Sequence, residues 1–180
     1  MPELILPDAR VKLSFLTAMK EFQAEGRGGA DDNHSMLGRE IKVWGGRWED
    51  PAEFAAYAAW LRADALEDSP RPEGHVPATS MWWADGDEYL GRITVRHRLT
   101  PSLLLVGGHI GYDVRPSARR RGHATLMLAA ALPVACGLGI DRALITCLSD
   151  NIGSRKVIEA NGGVLEDERD GMLRFWAPTG

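Results

Sequence analysis

The sequence predicts an α/β chain: one mixed, mostly antiparallel sheet of six or seven strands with helices on both faces. Three observations carry that reading. Apolar residues recur at helical spacing in some segments and alternate at strand spacing in others. Two aspartate-glycine turns, Asp85-Gly86-Asp87 and Asp170-Gly171, each join two strand-like runs. Cap residues and glycines separate the remaining strands from the helices around them.

Glu3 to Leu6 forms a short apolar strand closed by Pro7 and Asp8. Leu13, Leu16, Ala18, Met19 and Phe22 then recur at helical spacing, and that helix ends near Gly26. Arg27 to Gly38, rich in Gly, Asp and Asn, reads as a loop, either a mobile surface one or one that shapes a ligand pocket. Asp50 caps and Pro51 opens a second helix with Phe54, Tyr57, Ala58, Leu61 and Ala65 inward. Ser69 to Pro77 holds three prolines and is a linker within the domain, since neither side of it could bury a core alone. Ser80 to Ala84 and Tyr89 to Val95 are antiparallel neighbours across the first turn.

Thr100-Pro101 opens a helical turn running through Leu103 to Leu105, and Gly107 starts the central strand. Met127, Ala130, Ala131, Val134 and Leu138 line the next helix, which ends at Gly137 or Gly139. Pro133 predicts a kink or an early end there, because a proline inside a helix removes a hydrogen bond at a cost of about 3 kcal/mol. Ala143 to Leu148 is a buried strand. Ser149 or Asp150 caps a last helix with Val157 and Ile158 inward, ended by Asn161-Gly162-Gly163. Val164 to Arg169 and Met172 to Trp176 close the chain as a hairpin, and most of the six tryptophans belong to the core.

The 180 residues fit a single domain spanning 1–180, and 44% hydrophobic with 26% charged residues is ordinary for a soluble globular chain. The formal charge of -4 gives no overall attraction to nucleic acid or anionic membrane. The charge is unevenly placed: 31–88 carries five Lys/Arg against thirteen Asp/Glu, and 92–121 carries seven Arg against one Asp. Cys136 and Cys147 sit in apolar surroundings, which predicts reduced core thiols and a cytoplasmic location. MPELILPDAR lacks a basic start followed by a long apolar run, and no stretch reaches the roughly 18 apolar residues of a membrane span. No metal-ligand cluster stands out, so no metal is expected.

The chemistry centres on Gly107 to Ala124, GGHIGYDVRPSARRRGHA. A strand turning into a helix leaves backbone N–H groups unpaired and pointing the same way, reinforced by the helix dipole. That makes an anion site. Arg119, Arg120 and Arg121 add charge, and Gly122 and Ala124 are small enough for a diphosphate to approach the backbone. The stretch reads either as a cradle for a phosphate-bearing cofactor or as a solvated basic loop.

Two motifs in order then resemble the GNAT superfamily of acyl-CoA-dependent N-acyltransferases. Its Gln/Arg-x-x-Gly-x-Gly/Ala motif stands here as Arg119-Arg120-Arg121-Gly122-His123-Ala124, and its helix-opening asparagine as Asn151 in SDNIGSRKVIEANGG. The resemblance covers about 81–176, the cofactor core. It implies a sheet splayed at its centre, with Tyr112, Asp113 and Val114 holding the pantetheine arm through backbone groups. It further implies Val114 N–H at the thioester carbonyl, 120–125, from Arg120 to Thr125, around the pyrophosphate, and Asn151 at the pantetheine amide or a water beside it. The implied partners are acetyl-CoA and an amine acceptor, with a homodimer left open and with neither nucleic acid nor membrane.

The sequence departs from the family at the usual acid and base, which become Thr146 and Ile158. His109 and Asp113 share a strand face, so His109 is a candidate base, or a hydrogen-bonded structural histidine, while Asp113 could orient the amine. Ser154 is the hydroxyl placed to donate to the leaving thiolate, unless it bonds its own helix. Cys147 is a weak candidate for an acyl-enzyme, having no basic sequence neighbour. The expectation is acetyl transfer to a primary amine by direct attack, the acidic front half favouring a cationic acceptor. The competing class is an acyl-CoA-binding sensor or structural protein that lost the chemistry.

Overall fold

Seven strands, β1 Glu3–Ile5, β2 Ala78–Asp85, β3 Glu88–Arg96, β4 Ile110–Val114, β5 Arg142–Leu148, β6 Val164–Arg169 and β7 Met172–Pro178, lie in the order 1-2-3-4-5-7-6. The computed structural model describes residues 1–32 and 35–180; positions 33 and 34 of the expected 27–38 loop lie outside the described residues. Every neighbouring pair is antiparallel except β4 and β5. Those two are joined by α5, His123–Gly137, in the crossover that parallel strands require. The final turn has Asp170 at φ 50 and Gly171 at φ 76, the double positive φ that suits a right-twisted hairpin.

Helices α1 Lys12–Ala24, α2 Met36–Trp44 and α3 Pro51–Ala63 cover one face of β1 to β3. Phe15 is the hub of that layer, its ring 5.0 Å from Trp48, 5.2 Å from Phe54, 5.3 Å from Trp82 and 5.1 Å from Tyr89. The Trp82 pair is stacked and the other three are edge-on, and such pairs add about 0.5–1.5 kcal/mol each beyond burial. The other face packs α5 and α6, Ile152–Ala160, against Ile93, Val95, Ile110, Ile145 and Phe175. A single turn, α4 Pro101–Leu105, is capped by the Thr100 side chain and leads into β4. Among the described residues no helix is long and apolar enough to cross a membrane, and no cluster of three or more His, Cys, Asp or Glu could hold a metal.

Several sequence expectations are corrected here. α2 fills what reads as the end of a loop: Ser35 caps it, and Leu37 and Ile41 are buried together with the charged Glu40. That carboxylate breaks the apolar pattern, and it is matched from elsewhere: both Glu40 oxygens accept from Arg92 on β3, at 2.6 and 2.8 Å, and Tyr57 O–H donates to Oε2 at 2.5 Å. α5 runs through Pro133 to Gly137. Pro133 and Ala129, whose carbonyl loses its partner, are both exposed, so water can serve that oxygen. Its inner face is Met127, Leu128, Ala131, Leu132 and Ala135, while Ala130 and Leu138 face outward. In α1, Phe15 is inward and Leu13 is 81% exposed; Ala65 lies past the end of α3; Cys136 is exposed, and Cys147 is buried. The cap of α6 is Asn151 rather than Ser149 or Asp150.

Candidate active site

β4 and β5 pair at Ile110 and Ile145 and then part. Just before that pair the strands are clasped twice: His109 N–H donates to Leu144 O at 2.7 Å, and Leu144 N–H donates to His109 Nδ1 at 2.9 Å. Beyond it, every second residue of β4 still bonds β3, in the register marked by Arg96 N–H to His109 O and Arg115 N–H to Leu90 O. Antiparallel alternation therefore turns Gly111 and Asp113 toward β3 and aims the N–H groups of Tyr112 and Val114 into the gap.

The gap widens into a cleft of about 670 Å³ between the end of β4, the start of α5, the start of α6 and the segment after α1. On the α5 side the backbone bends through Arg120 at φ 60 and Gly122 at φ 84. A non-glycine residue at positive φ is strained, and two such bends turn successive N–H groups inward. Leu126 N–H is the first to find an intrahelical carbonyl, that of Gly122, at 3.1 Å. The N–H groups of His123, Ala124 and Thr125 are thus left to the cleft by the helix. A Cβ built on Gly122 meets nothing within 4 Å, so the space over it is open.

The three arginines divide. Arg119 braces the site: its Nε–H donates to Val114 O at 3.0 Å, and its terminal nitrogens clasp Glu25 at 2.7 and 2.8 Å. Arg120 lines the cleft, whereas Arg121 is exposed and is not among the residues that wall it. His123 Nδ1 accepts from Trp83 Nε1–H at 3.3 Å, so in the neutral ring Nε2 carries the proton.

On the opposite wall Asn151 Oδ1 accepts from Ser154 N–H, which leaves its amide NH₂ free of the capping bond. Ser154 Oγ lies 2.7 Å from Tyr112 O–H. This pairing joins two residues that sequence reasoning held apart, Tyr112 for its backbone and Ser154 for its hydroxyl. Burial pushes the Tyr112 phenol up to about 12, against the Ser154 hydrogen bond, and keeps it protonated. Burial also raises the Cys147 thiol, which disfavours the thiolate an acyl-enzyme needs.

Asp113 lines the cleft and is paired with Arg27 at 2.7 Å. Burial raises its carboxyl above the ordinary range, with Arg27, Arg92 and Arg119 opposing. Arg27, from the segment expected to be a loop, and Glu25, at the end of the first expected helix, had no sequence signal of their own. His109 is placed elsewhere: it is buried, absent from the cleft wall, and the ring nitrogen free to take a proton holds Leu144 N–H. Burial and the Arg96 charge lower its pKa, and its geometry is that of the hydrogen-bonded structural histidine, the second of the two sequence readings. Thr146 Oγ1 likewise accepts from Gly107 N–H at 3.0 Å, and Ile158 is fully buried in the core.

The acidic residues of the front half do not converge on the cleft as free charges. Glu40 faces Arg92, Glu53 faces Arg47, Glu67 faces Arg98 and Asp64 faces Arg71.

None of the curated proteins matches the chain. Among solved structures it is similar to Mycobacterium smegmatis RimJ in complex with CoA-disulfide, at 18% identity and TM-score 0.65, covering 98% of this chain and 81% of that one. It is similar to the microcin C7 self-immunity acetyltransferase MccE in complex with acetyl-CoA and AMP, at 13% identity and TM-score 0.63, covering 98% and 92%. It is also similar to RimL, a ribosomal L7/L12 alpha-N-protein acetyltransferase in complex with coenzyme A, at 17% identity and TM-score 0.60, covering 98% and 93%. At these identities the likeness concerns the fold: an open mixed sheet parted at its one parallel pair. The family model described as the acetyltransferase (GNAT) domain matches residues 30–164, most of the chain, and the protein therefore belongs to the GNAT acetyltransferases.

Proposed function

We propose that the protein transfers an acetyl group from acetyl-CoA to a primary amine, and that the parted β4–β5 pair is where transfer occurs. The observation that carries this reading is the pair of N–H groups, Tyr112 and Val114, facing a gap that continues into the glycine-opened start of α5. The cleft fits the cofactor's parts. N–H groups of 120–125 suit a diphosphate, and the open space over Gly122 lets it reach the backbone. Asn151 offers its amide to the pantetheine arm, and solved GNAT neighbours hold acetyl-CoA or CoA.

Acetyl-CoA supplies an acyl carbon activated as a thioester. The chain supplies proton handling and charge placement around it. Asp113 takes the proton that the amine sheds as its nitrogen bonds the acyl carbon and the C–S bond breaks. Val114 N–H, with Tyr112 N–H two residues away, donates to the carbonyl oxygen as negative charge grows there, which stabilises it more than the neutral ground state. Tyr112 O–H, held by Ser154, donates to the departing sulfur.

Two outcomes test these roles. Tyr112→Phe lowers kcat by about 10²-fold, the low end for a lost acid or base, with little change in KM for acetyl-CoA. An unaltered kcat in the folded variant removes the phenol from the mechanism. For Asp113 the base form must be ionised, and its pKa is raised, so kcat/KM falls on acidification at a pH above the ordinary Asp value. Arg27 opposes that rise, and Arg27→Ala therefore moves the acid limb to still higher pH. A limb that stays put, or that survives in Asp113→Asn, assigns the base elsewhere. CoA release above background with any amine also separates a transferase from a CoA-binding sensor.

A further inference from the structure

The sheet face that carries Asp113 also carries an arginine with no acidic partner among the described residues. On β3, Arg92, Thr94 and Arg96 alternate onto the same face as Gly111 and Asp113 of β4. Arg92 is matched by Glu40, and Arg27 by Asp113. Arg96 instead donates from one terminal nitrogen to the carbonyls of Gly107 and Gly108, at 3.1 and 3.2 Å, and these bonds hold its guanidinium over Gly111. A Cβ built on Gly111 would stand 3.8 and 3.9 Å from the two terminal nitrogens. The glycine thus leaves the guanidinium room, one same-face step from the Asp113 carboxylate.

Arg39, exposed on α2 beside Glu40, is near enough for its charge to act on Arg96 and has no ion pair among the described residues. Burial is the main cost to the half-buried Arg96 charge, and the like charge of Arg39 adds to it. An acidic group beside Arg96 offsets both costs, and a guanidinium anchored from one side presents its remaining N–H groups in the fork that carboxylate and phosphate accept.

We propose that the acceptor is an amine that also bears a carboxylate or phosphate, bound by Arg96 and Arg39 while the amine meets Asp113. Two strand residues separate the sites, so the acid lies about 7 Å along β4 from the amine end. This rests on the acetyl-transfer reading for the amine end alone. It replaces the cationic acceptor expected from composition, because none of the described acids of 31–88 lines the cleft and four of them are matched by arginines, while Arg96 and Arg39 have no acidic partner among the described residues.

The probes are 4-aminobutanoate and 5-aminopentanoate against their amides, and O-phosphoethanolamine against ethanolamine, with acetyl-CoA saturating and CoA release measured. The expected result is a kcat/KM at least tenfold higher for the acidic member of a pair, the better pair telling carboxylate from phosphate. The ratio falls toward one in Arg96→Gln and in Arg39→Gln; the second is exposed and leaves the carbonyl bonds of Arg96 intact. A ratio near one in the native protein, or one preserved in both variants, overturns the proposal. The thermal midpoint of the CoA-saturated protein, measured with the same probes, needs no turnover. It rises with the acidic probes and not with their uncharged partners, and Arg39→Gln abolishes the rise. That result without acetylation keeps the anion site and sinks the transferase reading; acetylation without preference does the reverse.

Discussion

Gly122→Asp is expected to abolish acetyl-CoA binding while the protein stays folded. Gly122 caps α5 at φ 84, and an added Cβ there meets no protein atom within 4 Å, so the new side chain enters the cleft rather than the core. Left-handed backbone costs an L residue about 1–2 kcal/mol, with aspartate among the more tolerant types. The binding penalty is larger. A carboxylate about 4 Å from a phosphate, at an effective dielectric of 20, is repelled by about 4 kcal/mol, roughly a thousandfold in affinity. It also competes for the N–H groups of His123, Ala124 and Thr125. Calorimetric titration with acetyl-CoA reads the effect, and Gly122→Ala, which has the strain without the charge, is expected to retain much of the affinity. Unchanged binding in a folded Gly122→Asp protein means the cofactor's phosphates lie elsewhere.

Glu40→Ala is expected to be the most destabilising single change. The Glu40 and Arg92 side chains are 6% and 3% exposed, and the carboxylate accepts two bonds from Arg92 and one from Tyr57. Burial and the Glu40 charge hold the Tyr57 phenol well above its ordinary range, so it remains a donor. Removing the carboxylate strands a buried guanidinium at a cost of about 3–5 kcal/mol, against a total stability of about 5–15 kcal/mol for a domain. Urea or thermal denaturation measures it. Glu40→Leu with Arg92→Met, which removes both charges and keeps apolar volume, recovers most of the loss. A loss under about 1 kcal/mol in Glu40→Ala contradicts the view that this pair locks α2 to the sheet.

Much of this site was legible one segment at a time. The arginine-glycine turn, the asparagine at the start of α6 and the strand between Gly107 and Val114 are local patterns, and each lies where its residues imply. The pairings across the cleft were not. Tyr112 and Ser154 are 42 residues apart, Arg27 and Asp113 are 86, and Glu40 and Arg92 are 52. A sequence window shows His109 and Asp113 on one strand face, but not that a β5 amide occupies the histidine ring while an arginine from the segment after α1 faces the aspartate.

The sequence by itself determined the order of the strands and of the helices other than α2, both hairpins, the two helix starts that frame the cleft, and the GNAT resemblance. Turn chemistry, capping and hydrophobic period act between residues a few positions apart, so they can be read without a partner. Only the tertiary structure decided that α2 forms around a buried charge, that Arg119 braces while Arg121 faces solvent, that Tyr112 meets Ser154, and that Arg96 has no acidic partner among the described residues. Those outcomes depend on strand register and on which distant side chain reaches a buried group first, and desolvation makes such a partner count only once the sheet and its helices have closed around it.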